Sequence, residues 1–423
     1  MNQIRPTLFL LATSMLLAPS SAGAQDWNRF RGPGGMGVSD DKNVPETWSD
    51  SENLIWKSKL PGAGASSPMV IGTKVFVTCY SGSSRTMKRH LICFDKNSGE
   101  EIWQKSVDAV QPEDSYSGYL REHGYASNTP TSDGEMVYAF FGKSGVFAFD
   151  MDGNQKWKFD VGKQSSNRRW GSAASLVMYK DLVIVNAGEE GRAIFAIKKE
   201  TGEQAWKAPG AALELAYGTP VVAKLNNGNE ELLISAVGEL WSIFPETGKL
   251  KAYKSLNLTG NITPSIVFKD DVAYTFGGYP STVGQAIKIG GSKVLPDSDV
   301  VWSTRIGSYV PTPVLYGDHL YWVTDRGQAI CLKADSAEKV YQQRLRGLKT
   351  GGRPFYASPV VVDGKIIVPS RKSGIFVFAA EPKFKQIAVN KFEDDSEFNG
   401  TVAVSQSKLY FRSNAYLYCV GNK

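Results

Sequence analysis

The sequence predicts an all-β protein: an eight-bladed β-propeller of four-stranded blades, the last blade closed by an N-terminal strand. Three observations carry this. A small residue followed by Pro and an apolar run recurs with a period of about 48 residues. An aromatic residue, usually Trp a few positions after a turn containing Gly, closes most repeats. Helix signals are scarce, whereas short β-branched and aromatic runs bounded by Gly, Asn and Asp are common.

The repeat openings read Ser67-Pro68-Met69-Val70, Thr129-Pro130, Thr219-Pro220-Val221-Val222, Thr263-Pro264-Ser265-Ile266, Thr312-Pro313-Val314-Leu315 and Ser358-Pro359-Val360-Val361. Two copies lack the Pro: Ala173-Ala174-Ser175-Leu176 and Gly400-Thr401-Val402-Ala403. The closing segments are CFDKNSGEEIW ending at Trp103, AFDMDGNQKW at Trp157, AIKKETGEQAW at Trp206, SIFPETGKLKAY at Tyr253 and CLKADSAEKVY at Tyr341, with Trp302 closing the fifth repeat after an insertion. Between opening and closing lie two more strands. In the second repeat they cover 136–141 and 146–149, joined by Gly142-Lys143-Ser144-Gly145, where positive φ is inexpensive. A four-stranded unit cannot bury both faces alone, and stacking such units radially buries them and protects their edges.

The last repeat runs from Phe398 to Cys419 and offers three strands. The strand it lacks is Asn53-Leu54-Ile55-Trp56-Lys57, with Trp56 at the aromatic position.

The N-terminus reads as an export signal. Arg5 precedes an apolar stretch from Thr7 to Leu17, and Ala22-Gly23-Ala24 fits a cleavage site, so the mature chain is expected to begin at Gln25. The expected organisation is a leader over 1–24, an N-terminal extension over 25–52 and the propeller over 53–423. About eleven apolar residues fall short of the roughly twenty that cross a bilayer, and no Cys follows to take a lipid. No membrane span is expected, and a periplasmic or extracellular monomer is. The net charge is +6 with the charges interspersed. Nucleic-acid binding wants a clustered basic face, so no nucleic-acid partner is expected.

The repeats resemble those of the pyrroloquinoline-quinone (PQQ) repeat family, with Ala196-Ile197, Thr201-Gly202 and Trp206 the nearest copy of the consensus. WD40 repeats share the period but end in Trp-Asp, which these do not. The resemblance covers about residues 53–423. It implies one of two branches: quinoprotein dehydrogenases with PQQ and Ca²⁺ over the axial funnel, or non-catalytic, BamB-like propellers that bind proteins. The segment Asp26-Trp27-Asn28-Arg29-Phe30-Arg31-Gly32-Pro33-Gly34 also resembles the N-terminal signature of secreted planctomycete proteins with these repeats.

The dehydrogenase branch holds its cofactor against a disulfide between adjacent cysteines. Cys79, Cys93, Cys331 and Cys419 include no adjacent pair. Cys93, Cys331 and Cys419 align with Ala148, Ala196 and Ser242, which marks a small buried slot. Cys79 and Cys93 lie on neighbouring strands of one repeat, so a disulfide between them stays open. His90, His123 and His319 have no ligand spacing, and no nucleophile elbow or phosphate loop occurs.

The segments that enter the inner strands are rich in aromatics beside Arg, and equivalent loops of a propeller emerge at one end of the channel. Arg121, His123, Tyr125, Trp170, Tyr217, Tyr309, Arg353 and Tyr356 are therefore the candidate ligand-binding residues. Aromatic platforms with forked donors suit a protein partner or a planar or anionic ligand. A dehydrogenase would draw on Trp170, Arg353, Glu214, Asn261 and Asp325, none of them in a motif matching the enzymes'. The leading expectation is an extracytoplasmic, non-catalytic binding or scaffold module without a cofactor or metal. The alternatives are a PQQ- and Ca²⁺-dependent oxidoreductase of alcohols or sugars, and a propeller that binds polysaccharide.

Overall fold

A computed structural model describes residues 26–83, 85–349 and 351–422; the leader expected over 1–24 lies outside the described residues. Eight sheets of four or five strands surround one axis, each corresponding to one repeat. Blade 1, for example, consists of Met69–Ile71, Lys74–Ser81, Lys88–Asp95 and Glu101–Asp108, ordered from axis to rim. In blade 8 the strands Ala403–Ser405, Lys408–Arg412 and Tyr416–Val420 are completed at the rim by Leu54–Lys59, with Trp56 opposite Cys419. The ring is thus closed by the N-terminal strand, as the three-stranded last repeat predicts.

The Ser or Thr that opens each repeat has a defined task. The backbone N–H of Ser67 donates to the hydroxyl of Thr129, Thr129 to Ser175, Ser175 to Thr219 and Thr219 to Ser265, at 2.9 to 3.0 Å. The series continues from Ser265 to Thr312, Thr312 to Ser358, Ser358 to Thr401 and Thr401 back to Ser67, at 2.9 to 3.1 Å. Each inner strand presents an edge to the channel, and this circuit gives each edge an acceptor in the next blade. Pro follows easily because the first residue of an edge strand needs no N–H. The ring residue is Ser265 in blade 5, two positions after Thr263, Ser175 in blade 3, two after Ala173, and Thr401 in blade 8, one after Gly400, so the sequence alignment slips in these three copies.

The rim aromatics form a second set of links. The indole N–H of Trp56, Trp103, Trp157, Trp206 and Trp302 donates to the carbonyls of Lys96, Met151, Lys199, Pro245 and Ala334, at 2.7 to 3.0 Å. Each acceptor lies in the outer turn of the following blade. The Gly of that turn packs on the ring: a Cβ on Gly99, Gly153, Gly202 or Gly248 would come within 2.8 Å of the preceding blade's Trp. The Gly-then-Trp signature therefore records two halves of an inter-blade contact. Trp157, Trp206 and Trp302 are buried, and Trp103 is partly buried.

Opposite each rim aromatic stands a small residue. Cys93 faces Trp103, Ala148 faces Trp157, Ala196 faces Trp206 and Cys331 faces Tyr341. Blade 4 departs from the alignment, since Ala252 and not Tyr253 faces Ser242. The insertion in blade 5 compensates: Lys293–Val294 adds a fifth strand to the rim of blade 4, and buried Leu295 joins the same apolar cluster as Ala252. All four cysteines are free and buried. The register pairs Cys79 with His90 and Cys93 with Phe76, three residue pairs apart along the hairpin. Those Cα atoms stand about 10 Å apart at 3.3 Å per residue, beyond disulfide reach.

The N-terminal extension enters the axis. Trp27 bridges to Val70 of blade 1, and the Asn28 carbonyl accepts from Ser132 N–H of blade 2 at 3.1 Å. Arg31 is fully buried and donates to the carbonyls of Thr312 and Pro313, both at 2.8 Å, and of Met36 at 2.9 Å. Val38–Ser39 then pairs in parallel with the inner strand Val360–Val362 of blade 7. Residues 26–39 thereby plug one end of the channel.

Candidate functional site: an axial chamber under a strap

Above the plug lies a chamber of about 910 Å³, counting its open mouth. Phe30 of the plug forms part of its lining. Six residues of the hydroxyl ring line it too: Ser67, Thr219, Ser265, Thr312, Ser358 and Thr401. Tyr119, His123, Trp170, Tyr217, Tyr309 and Tyr356 supply the aromatic wall nearer the mouth, with Asn261 and Asn399 between them. Among the described residues, no Asp, Glu, Lys or Arg side chain belongs to this lining.

The mouth is covered by the long connection between blades 1 and 2. Its first leg is held by two buried ion pairs, Arg89–Glu113 at 2.6 Å and Lys143–Asp114 at 3.1 Å. Its second leg pairs Glu122 with Arg371 of blade 7, and the Glu122 carbonyl accepts from Asn399 Nδ2 at 2.9 Å. Between the legs Tyr119 reaches over the opening. Its ring centroid lies 4.6 Å from Trp170, 6.1 Å from Tyr309 and 6.5 Å from Tyr356. Tyr119 borders both the chamber and an outer vestibule containing Glu122, Arg353 and Arg371. The Arg353 guanidinium stacks over Tyr309 at 4.6 Å and Tyr119 at 5.5 Å, and hydrogen-bonds the Tyr119 hydroxyl.

Of the eight candidate residues, His123, Trp170, Tyr217, Tyr309 and Tyr356 meet in the chamber. Arg353 stands in the vestibule. Arg121 is exposed on the strap, with Nε bonded to the Tyr116 carbonyl at 3.0 Å. Tyr125 is buried behind the strap, where its hydroxyl donates to the Asp114 carbonyl at 2.6 Å. The sequence pattern passes over Tyr119, Phe30 and Asn399. Tyr119 sits in the longest inter-blade connection, and that extra length is the one signal that singles it out. Nothing local shows that Phe30 reaches the axis.

The chemistry of the chamber is constrained by its imidazole. His123 Nε2 lies 2.9 Å from the Trp170 carbonyl, which can only accept, so Nε2 carries the proton. Nδ1 then accepts from Ser127 Oγ at 2.6 Å. Burial holds the imidazole neutral by pushing its pKa down to about 4. With both nitrogens engaged, it offers no free lone pair to a substrate.

A PQQ–Ca²⁺ site needs a guanidinium, carboxylate cation ligands and a carboxylate base around one ligand. Here those groups are dispersed. Glu214 accepts from the Asn167 N–H at 2.7 Å and pairs with Arg192 at 3.2 Å. Asp325 and Arg353 pair with each other at 3.3 Å, outside the chamber. Only Trp170 and Asn261 of the dehydrogenase set line it. The residues present do not fit the cofactor. Among the described residues, no group of three or more His, Cys, Asp or Glu is placed to hold a metal ion.

The sequence matches the family described as outer membrane protein assembly factor BamB, over residues 46–275, 173–343 and 292–383. The chain belongs to that family of PQQ-repeat propellers. It is 21% identical over 372 residues to the outer membrane protein assembly factor BamB of Burkholderia pseudomallei (strain K96243), covering 77% of this chain and 87% of that one. The crystal structure of BamB from Moraxella catarrhalis superposes with a TM-score of 0.61 at 12% identity, over 88% of this chain and 97% of that one. A europium-containing methanol dehydrogenase superposes with a TM-score of 0.62, also at 12% identity, over 92% and 89%. An assembly factor and an oxidoreductase thus share this fold, and function has to be argued from the site.

Proposed function

We propose that this member of the BamB family is an extracytoplasmic binding propeller with no chemistry of its own, holding a ligand or a segment of a partner in its funnel. The observation that supports this most is the chamber itself. Its aromatic wall offers large rigid faces, its polar groups are neutral, and its one imidazole is committed on both sides. Acid–base or cation-assisted oxidation needs a carboxylate or a free imidazole at the ligand; the described lining holds no carboxylate, and its imidazole is bonded on both sides. The family relationship favours a protein partner, and the exposed Tyr116 and Tyr279 near the mouth offer anchors for one.

The test compares the exported wild type with Trp170→Ala by native mass spectrometry and cross-linking in its own host. Loss of a bound species from Trp170→Ala at an unchanged melting temperature is the expected result. Retention of every species by the variant would remove the funnel as the site. Turnover of an alcohol or sugar with PQQ, Ca²⁺ and a dye acceptor would overturn the non-catalytic reading.

A further inference from the structure

We infer that the chamber takes a single neutral sugar ring, received beneath Tyr119 with its polar edge on the hydroxyl ring and Asn399; this rests on the funnel being the binding site. The argument starts from unspent hydrogen-bonding capacity. Each ring hydroxyl oxygen accepts a backbone N–H from the preceding blade, and among the described residues no acceptor receives its own proton. The six that line the chamber are therefore donors. Asn399 supplies the opposite need: it is buried, its Nδ2 is used by Glu122, and its Oδ1 has no donor. An orphaned buried acceptor beside donors without acceptors calls for a ligand that does both. A hydroxyl group does both, whereas a carboxylate only accepts and an ammonium only donates.

Charge points the same way. Among the described residues, no ionised side chain lines the chamber to offset a charged ligand. Arg29 and Arg31 lie buried in the plug without a carboxylate partner, and Arg31 is bonded to the carbonyl of ring residue Thr312. Their field opposes a cation. The wall provides the other half of recognition. Trp170 and Tyr217 stand nearly parallel, 29° apart at 6.3 Å, and Tyr119 meets Trp170 edge-on. Flat rigid faces of this kind contact the C–H face of a pyranose by dispersion.

The ring can come from a free sugar or from the end of a glycan, so the experiment uses both. Titration calorimetry and tryptophan fluorescence would compare glucose, galactose, mannose and N-acetylglucosamine with glucuronate and glucosamine, and with cellobiose and maltose. At least one neutral sugar should saturate, roughly tenfold more tightly than its charged counterparts. Trp170→Ala and Asn399→Ala should each weaken it roughly tenfold at unchanged melting temperature; should Asn399→Ala fail to fold, Trp170→Ala carries the test. A disaccharide that binds as well as its monomer assigns the site to chain ends, and one excluded assigns it to free sugars. Absence of saturation by every neutral sugar below about 10 mM overturns the inference, as does equal affinity for glucuronate. If glucuronate alone bound, and Trp170→Ala abolished it, the funnel would stand as a site and the neutral sugar would fall.

Discussion

The backbone N–H of Thr401 in the last blade donates to the hydroxyl of Ser67 in the first, at 3.1 Å across 334 residues of sequence. This bond turns seven inter-blade links into a circuit. It lies at the axis, while Leu54–Lys59 fastens the same two ends of the chain at the rim. The ring is locked at both radii, and each inner edge has a partner.

Thr312→Val tests the circuit. The isostere keeps the shape but leaves the Ser265 N–H without its acceptor. Stability should fall by about 1–3 kcal/mol, the usual cost of an unmet buried donor, read as a lower denaturant midpoint at unchanged slope. An unchanged midpoint would show that the ring adds nothing to stability.

Trp56→Ala tests the rim. Trp56 is buried, donates to the Lys96 carbonyl and lies under Gly99. Truncation should cost about 3–5 kcal/mol. The loss should appear as one cooperative transition, because the N-terminal strand completes a blade. A separate early transition confined to blade 8 would argue against a jointly stabilised ring.

Gly202→Ala and Gly364→Ala separate backbone strain from packing. Both residues have positive φ, +74° and +69°. Both substitutions should cost about 1–2 kcal/mol for an L-residue in that region. Only Gly202 carries a further cost, since its Cβ would lie 2.6 Å from Trp157, whereas nothing lies within 4 Å of Gly364. Equal destabilisation would mean that the turn-on-indole contact yields freely.

Glu190 should give the domain a pH dependence. It is buried behind the strap with Oε2 unpartnered, and burial, then the charge of Glu189, pushes its pKa up to about 8. In an unfolded chain a Glu titrates near 4.3. Between these values the native state binds the extra proton, so the contribution is full below about 4.3 and is lost as pH rises towards 8. Glu190→Gln keeps a neutral side chain throughout. The variant should lose this downward slope and unfold at higher denaturant than wild type at pH 8. An identical slope would show that Glu190 is ionised in the folded protein.

Tyr119→Ala should open the mouth. Removing the ring that divides chamber from vestibule should speed association and dissociation of a chamber ligand together, by stopped-flow tryptophan fluorescence. Tyr116→Ala, which removes an exposed ring of the same strap, should leave both rates unchanged. Equal effects of the two would mean that the strap acts as a whole and Tyr119 has no special place.

The blade count, the order of strands, the closing strand at Trp56 and the small slot opposite the aromatic were legible because they are local and repeated. A hydroxyl before Pro, or a Gly before Trp, recurs often enough to be aligned without knowing what it touches. Blade 4 shows the limit of that method, since one residue of slippage put Tyr253 where Ala252 belongs, and only the inserted strand at 293–294 explains how the gap is filled. The chamber was partly legible: loops equivalent by repeat emerge at one end, so His123, Trp170, Tyr217, Tyr309 and Tyr356 converge. The periodic part of this protein follows from its amino-acid order, because each blade repeats the same contacts with its neighbour. Tertiary structure alone decided the aperiodic part. Phe30 reaches the axis, Tyr119 spans the mouth, and Arg353 is drawn out to Asp325 and Tyr119, because these contacts join segments with no counterpart in the other repeats.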